Sequence, residues 1–173
     1  MSYSGRDIVF GGLLVAIAIV LPILFHAVNL GSAFLPMFFP VIAAGFLIAL
    51  PVALAVGLMS PLVSALLTGM PPFFPPIAFF MMAEGVVLAG IPAVFYQRCR
   101  WNIYLTLVLT VILDRAVLLC LAVLASRWLD LPERAVGISV LIKGIPGILL
   151  IFVAVPPLIK MLEKAVRNVP AMD

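Results

Sequence analysis

Between Ile8 and Leu162 the chain is almost continuous hydrocarbon, with a handful of ionisable side chains inside it: Glu84, Asp114, Arg115 and Lys143. Of its 173 residues, 66% are hydrophobic and 10% charged, where a soluble domain carries about 25% charged residues. A small globule cannot hide that much apolar surface from water. The chain is therefore expected to be an integral membrane protein, folded as one domain over residues 1–173. A charge at the centre of a membrane helix costs roughly 2.5–3.5 kcal/mol on insertion scales, so such residues tend to mark a ligand or ion path.

About 20 apolar residues cross a bilayer as a helix. Dividing the chain by that length and by its prolines predicts six spans, near residues 8–28, 37–50, 52–68, 77–96, 103–128 and 136–162. The stretch from Phe34 to Leu67 holds no charge, yet as one helix it would be about 50 Å long, too much for a 30 Å core. Leu50-Pro51 is the expected break, since proline removes a helix hydrogen bond and restricts its predecessor. The second span comes out short. Gly69-Met-Pro-Pro-Phe-Phe-Pro-Pro76 cannot be regular helix and is expected to be a stiff loop. The start of the chain lacks a small-residue cleavage site and is read as a retained first span.

Arg6, Arg98, Arg100, Lys160, Lys164 and Arg167 fall at one set of helix ends, and only Arg127 and Arg134 at the other. The positive-inside bias then places both termini in the cytoplasm. Three connections are left outside, the proline-rich one among them. A rigid loop can cover a ligand at low entropic cost, or it can simply end two helices.

Glu84 lies roughly 10 Å below the outer end of its span, with Lys143 at similar depth and Asp114 and Arg115 near mid-span. Two bases against two acids make a near-neutral site, suited to a small polar, zwitterionic or carboxylate-bearing molecule. The alternative is that all four pair with one another and only lock the helices. Because neighbours on a helix point about 100° apart, Asp114 and Arg115 are not expected to face one partner squarely. One arrangement pairs Asp114 or Glu84 with one cation and leaves the other for a ligand.

His26 and Asn29 fall at the outer end of the first span, and Met37 and Phe74 beside outer turns. Met37 and Phe74 are candidate pocket walls, while most of the other outer aromatics read as an interfacial belt. Gly12 and Ala16 share one helix face and admit close approach of another helix, from this chain or a partner. Gly144-Ile-Pro-Gly147 reads as a kink within the last span. Ser60 and Ser64 read as interhelical hydrogen bonds.

No histidine–cysteine or multi-carboxylate cluster suggests a metal. Cys99 and Cys120 read as small apolar residues. No cofactor is expected, and no basic stretch suits nucleic acid. Neither a serine–histidine couple nor a phosphate-cradling glycine loop supports an enzyme. A membrane scaffold of cell-shape or envelope assembly is the competing class, although it has no use for ions gathered in one outward cavity.

Several blocks in order resemble one family. They are Gly11-Gly-Leu-Leu-Val-Ala-Ile-Ala18, Phe34-Leu-Pro-Met-Phe-Phe-Pro-Val-Ile-Ala-Ala-Gly45, Gly57-Leu-Met-Ser-Pro through Thr68-Gly-Met-Pro-Pro72, Met82-Ala-Glu-Gly85, Lys143-Gly-Ile-Pro-Gly147 and Pro156-Pro-Leu-Ile-Lys160. Together, over nearly the whole chain, they resemble the S component, the substrate-binding membrane subunit, of energy-coupling factor (ECF) vitamin transporters. The resemblance implies a six-helix, multi-pass protein of a prokaryotic plasma membrane. Such a subunit captures a vitamin or related micronutrient outside, docks on a membrane T component carrying two ATPases, and topples to release its cargo. It implies docking through the Gly12 and Ala16 face, and a pocket formed by residues 70–76, Glu84, Arg115 and Lys143. Phe38 stands where relatives often carry a histidine. The Leu-Pro-Met and Thr-Gly-Met-Pro-Pro blocks lean towards a pantothenate-like subgroup.

Overall fold

The computed structural model describes residues 3–27, 34–128 and 144–167. Six helices are described: α1 (Gly5–Ala27), α2 (Phe38–Leu47), α3 (Leu50–Thr68), α4 (Ile77–Phe95), α5 (Ile103–Trp128) and α6 (Ile145–Arg167). All but α2 are long and apolar enough to cross a membrane. Ser4 and Asp7 start α1 reciprocally: the Ser4 amide donates to Asp7 Oδ2 at 2.9 Å, and the Asp7 amide to Ser4 Oγ at 3.3 Å. This is a capping box closing two orphan donors of the first turn.

The expected break between the second and third spans is present, shifted by two residues. Ile48 is extended, and α3 begins at Leu50 with Pro51 in its first turn. A proline there loses no hydrogen bond and is preset for the helix, so it starts α3 where the sequence reading had it end α2. The last helix is also displaced. Ile145 opens α6 with Pro146 in its first turn and Gly144 in the preceding turn. Gly144–Gly147 thus stands at the start of the described helix, and residues 136–143 of the expected sixth span, on which the kink reading depends, lie outside the described residues.

At 10 residues, α2 is about 15 Å long and cannot cross the hydrocarbon. Its depth was not readable from the sequence. Every residue from Pro40 to Phe46 is buried, as is Phe38, so α2 is a central plug apolar on all sides. It packs on α1, α3, α4 and α6. Ile42, Leu88, Ile151 and Val155 form the innermost part of the core around it.

Between lipid-embedded helices the hydrophobic effect gives little, and close packing replaces it. The closest approach joins α3 to α4, where a Cβ on Gly57 would collide with the Gly85 carbonyl and one on Gly85 with the Gly57 carbonyl. About one turn further along α4, a Cβ on Gly45 of α2 would strike the Ala89 carbonyl. The two glycines of α3 and α4 thus set both the spacing and the rotation of the helix carrying Glu84.

Replacing Gly85 by alanine adds a methyl group where backbone already stands. The helix propensity gained is at most about 1 kcal/mol, whereas overpacking costs typically about 1–3 kcal/mol. We expect Gly85→Ala to lower the thermal midpoint of the protein in detergent, and Gly12→Ala, whose Cβ would meet nothing within 4 Å, to leave it unchanged or raised.

Candidate functional site

The ends of α1, α3 and the starts of α2 and α4 enclose a cavity of 500 Å³ at one end of the bundle. Pro22, Ile23 and His26 line it from α1; Leu35 to Phe38 from the entry to α2; Ser64 and Thr68 from α3; and Ile77 and Met81 from α4. Met70, Pro71 and Pro72 of the proline-rich loop complete the wall.

That loop is tied down by the helix it follows. Gly69 takes the left-handed conformation (φ 71°) that ends α3, the position where glycine costs least. Ser64 Oγ then donates to the Met70 carbonyl at 2.7 Å, and the Met70 amide donates to Thr68 Oγ1 at 3.2 Å. The Ala78 amide donates to the Pro72 carbonyl at 3.1 Å from the other side. The serine pair thus departs from the interhelical reading: Ser64 holds the loop, and Ser60 Oγ donates to the Val56 carbonyl of its own helix at 2.7 Å. Ser64 and Thr68 lie four apart, on one face of the helix just before the loop. That spacing was the available signal for their role.

The ionisable groups sit one layer further in. Glu84 and Asp114 are 3% and 2% exposed. Arg115 reaches both: its Nε donates to Asp114 Oδ2 at 2.9 Å and its Nη2 to Glu84 Oε1 at 3.2 Å. Nη2 also contacts Asp114 Oδ2. Among the described residues Asp114 bonds to Arg115 and it is Arg115 that reaches across to Glu84; the second candidate cation, Lys143, lies outside the described residues. The arginine side chain is long enough to fold back on its neighbour and still span to α4. Among the described residues two carboxylates share one guanidinium, and Asp114 Oδ1 is buried with no hydrogen-bond partner.

Phe38 joins the two layers. Its ring lines the cavity and lies 5.9 Å, centroid to Cζ, from the Arg115 guanidinium, within cation–π range. Met81 lines the cavity one turn before Glu84 on the same face of α4. Neither residue was singled out by the sequence as a link between wall and ions.

The remaining sequence candidates separate. Met37 is buried and lines the cavity, as does His26, whose Nδ1–H donates to the Pro22 carbonyl at 2.8 Å. Phe74 is 74% exposed and is not part of the wall; the loop turns Met70, Pro71 and Pro72 inward in its stead. Asn29 and Lys143 lie outside the described residues. Gly12 and Ala16 are exposed on the outer face of α1, while Gly11 beside them points inward, where a Cβ would meet Val52 at 2.8 Å.

The family model described as ECF transporter, substrate-specific component, matches residues 6–159. No curated protein and no solved structure matches the chain.

Removing one member of a buried ion pair strands the other, at a cost of about 3–5 kcal/mol. Arg115→Met strands two carboxylates, so it is expected to destabilise the protein more than Glu84→Gln does. Adding Glu84→Gln to Arg115→Met should recover part of the loss, read from thermal unfolding of the purified single and double variants.

Proposed function

The chain belongs to the ECF transporter substrate-specific component family, and from that premise we propose that the cavity between α1, α3, α4 and the proline loop is where it captures a vitamin-like micronutrient. Members of the family are substrate-binding subunits of a transporter, not enzymes. The observation that carries the proposal is the cavity itself, with an ionic cluster directly behind one of its walls. Its volume falls within the range of small-molecule sites, roughly 300–1,000 Å³, and such sites combine apolar walls with a few polar anchors. Met37, Phe38, Met81 and the loop prolines supply the walls. His26 lines the cavity and serves as a polar anchor, and Asn29 is assigned as a second polar contact to the ligand. Behind the Phe38 wall, Arg115 with Glu84 and Asp114 supplies the charge that orients the ligand, Lys143 is assigned as a further ligand-orienting cation, and a pantothenate-like molecule, carrying a carboxylate on a compact polar body, is the substrate this assigns. Phe74 has no part in the wall and serves the interfacial belt.

Rigidity of the loop from Gly69 to Pro76 supports a cover that is largely preformed, so that little ordering entropy is lost on binding. The bias of Arg and Lys supports an outward-facing cavity and cytoplasmic termini. The small-residue face at Gly12 and Ala16, open on the outside of α1, supports docking on a membrane T component that carries two ATPases. Capture and docking then use different surfaces. After docking, toppling of the bundle turns the cavity inward.

Mass spectrometry of small molecules retained by the purified protein tests the binding step. A single micronutrient is expected, lost by roughly tenfold or more, the equivalent of about 1.4 kcal/mol, when Met81→Trp fills the cavity or Lys143→Met removes the charge assigned to the ligand. An empty protein that co-purifies with envelope-assembly proteins would instead favour a scaffold. Gly12→Leu or Ala16→Leu should abolish uptake while ligand retention stays at the level of the unmodified protein; loss of both together would place the docking face elsewhere.

A further inference from the structure

A second cavity, of 530 Å³, opens at the other end of the bundle, lined by Phe46, Tyr96, Gln97, Arg100, Trp101 and Glu163. Ile77 at the start of α4 borders the first cavity and Tyr96, just past its end, borders the second, so the length of α4 separates them. The 19 residues of α4 span about 28 Å, close to one hydrocarbon thickness. This cavity therefore lies at the opposite membrane interface, at the end that carries Arg98, Lys160 and Lys164.

The walls are fixed by contacts that the first cavity does not use. Gln97 Nε2 donates to the Gly45 and Ile48 carbonyls at 2.7 and 2.8 Å, closing the end of α2. Tyr96 OH donates to Glu163 Oε1 at 2.9 Å, and its ring meets Phe46 edge-on at 4.8 Å. Trp101 stacks at a tilt on Phe95 at 4.7 Å. Arg100 occupies the left-handed region (φ 57°), which residues bearing a Cβ rarely adopt. A glycine would meet that backbone demand at lower cost; the guanidinium is what glycine would lack.

Opposite charges meet in this cavity without cancelling. Arg100 and Glu163 both line it, and among the described residues no salt bridge joins the two. From the mouth, half-exposed Trp101 leads to Tyr104, Val108 and Ile112, one row of exposed apolar side chains four apart along α5. Cation, anion, aromatic rim and an apolar track together fit one class of ligand.

We infer that this cavity holds the headgroup of a zwitterionic phospholipid, its phosphate on Arg100 and its ammonium between Glu163 and the Trp101 ring, with an acyl chain along α5. A guanidinium is a strong partner for phosphate oxygens, and an ammonium is attracted to both a carboxylate and an indole face. A soluble phosphate–ammonium zwitterion offers the same headgroup chemistry but no acyl chain, so the lipid is the occupant that uses the apolar track. The site is independent of the nutrient cavity and stands or falls separately from it.

Native mass spectrometry of the full chain, taken from micelles containing equal phosphatidylethanolamine and phosphatidylglycerol, tests the assignment. Retained phosphatidylethanolamine is expected to exceed phosphatidylglycerol by roughly tenfold, which corresponds to about 1.4 kcal/mol. Arg100→Gln should lower retention of both lipids, with Arg100→Lys restoring part of it. Glu163→Gln, which keeps an acceptor for Tyr96, should erase the preference for the amine headgroup. Lys164→Gln, outside the cavity, should change neither. Equal retention of the two lipids by the unmodified protein would overturn the proposal, as would retention indifferent to both cavity substitutions. Displacement of the lipid by equimolar soluble phosphoethanolamine would overturn the lipid assignment as well.

Discussion

The contact of Gly57 with Gly85 is the constraint on which the rest of the bundle depends. Lipid tails are as apolar as leucine, so helices in a bilayer gain little by hiding side chains from their surroundings. Backbone against backbone is the alternative, and here it leaves no room for a methyl group on either partner. Fixing the rotation of α4 at Gly85 also fixes where its neighbour Glu84 points, about 100° round the helix, away from α3 and into reach of α5. The ionic cluster is thus a by-product of a steric fit. Without the glycine pair, the carboxylate could turn to several partners, and no single arrangement of charge behind the cavity would be specified.

The charges return the favour. Two carboxylates and a guanidinium are costly to bring into an apolar bundle, and their mutual attraction only partly offsets the desolvation. Their value lies in selection among packings, because rotation of α4 or α5 would strand at least one of them. Phe38 extends this coupling to α2, since its ring contacts the guanidinium on one side and forms cavity wall on the other. The short helix is therefore more than filler. It is held in place by a ring of neighbours and transmits their positions to the cavity.

Much of this architecture was legible in the sequence, where the signal was local. Apolar run length and proline placement gave six helices of nearly the right extent, and the order of short blocks pointed to the family that the comparison supports. Two kinds of feature escaped. Proline has opposite meanings at helix ends, so Pro51 was read as an interruption when it sits in a first turn. Tertiary direction was the other. Pairing of Arg115 with both Asp114 and Glu84 depends on how a long flexible side chain folds back, which helical periodicity does not encode. Ser64 looked like a polar contact to another helix because its partner, the Met70 carbonyl, is backbone, and backbone acceptors are invisible in a list of side chains. The full enclosure of α2 likewise follows from its neighbours and not from its own residues.

Phe38 carries one more consequence. Its ring covers one side of a guanidinium whose two carboxylate partners are almost wholly buried, and mobile ions weaken a buried interaction far less than an exposed one. Added salt should therefore loosen this triad much less than it would a pair of charges on the surface.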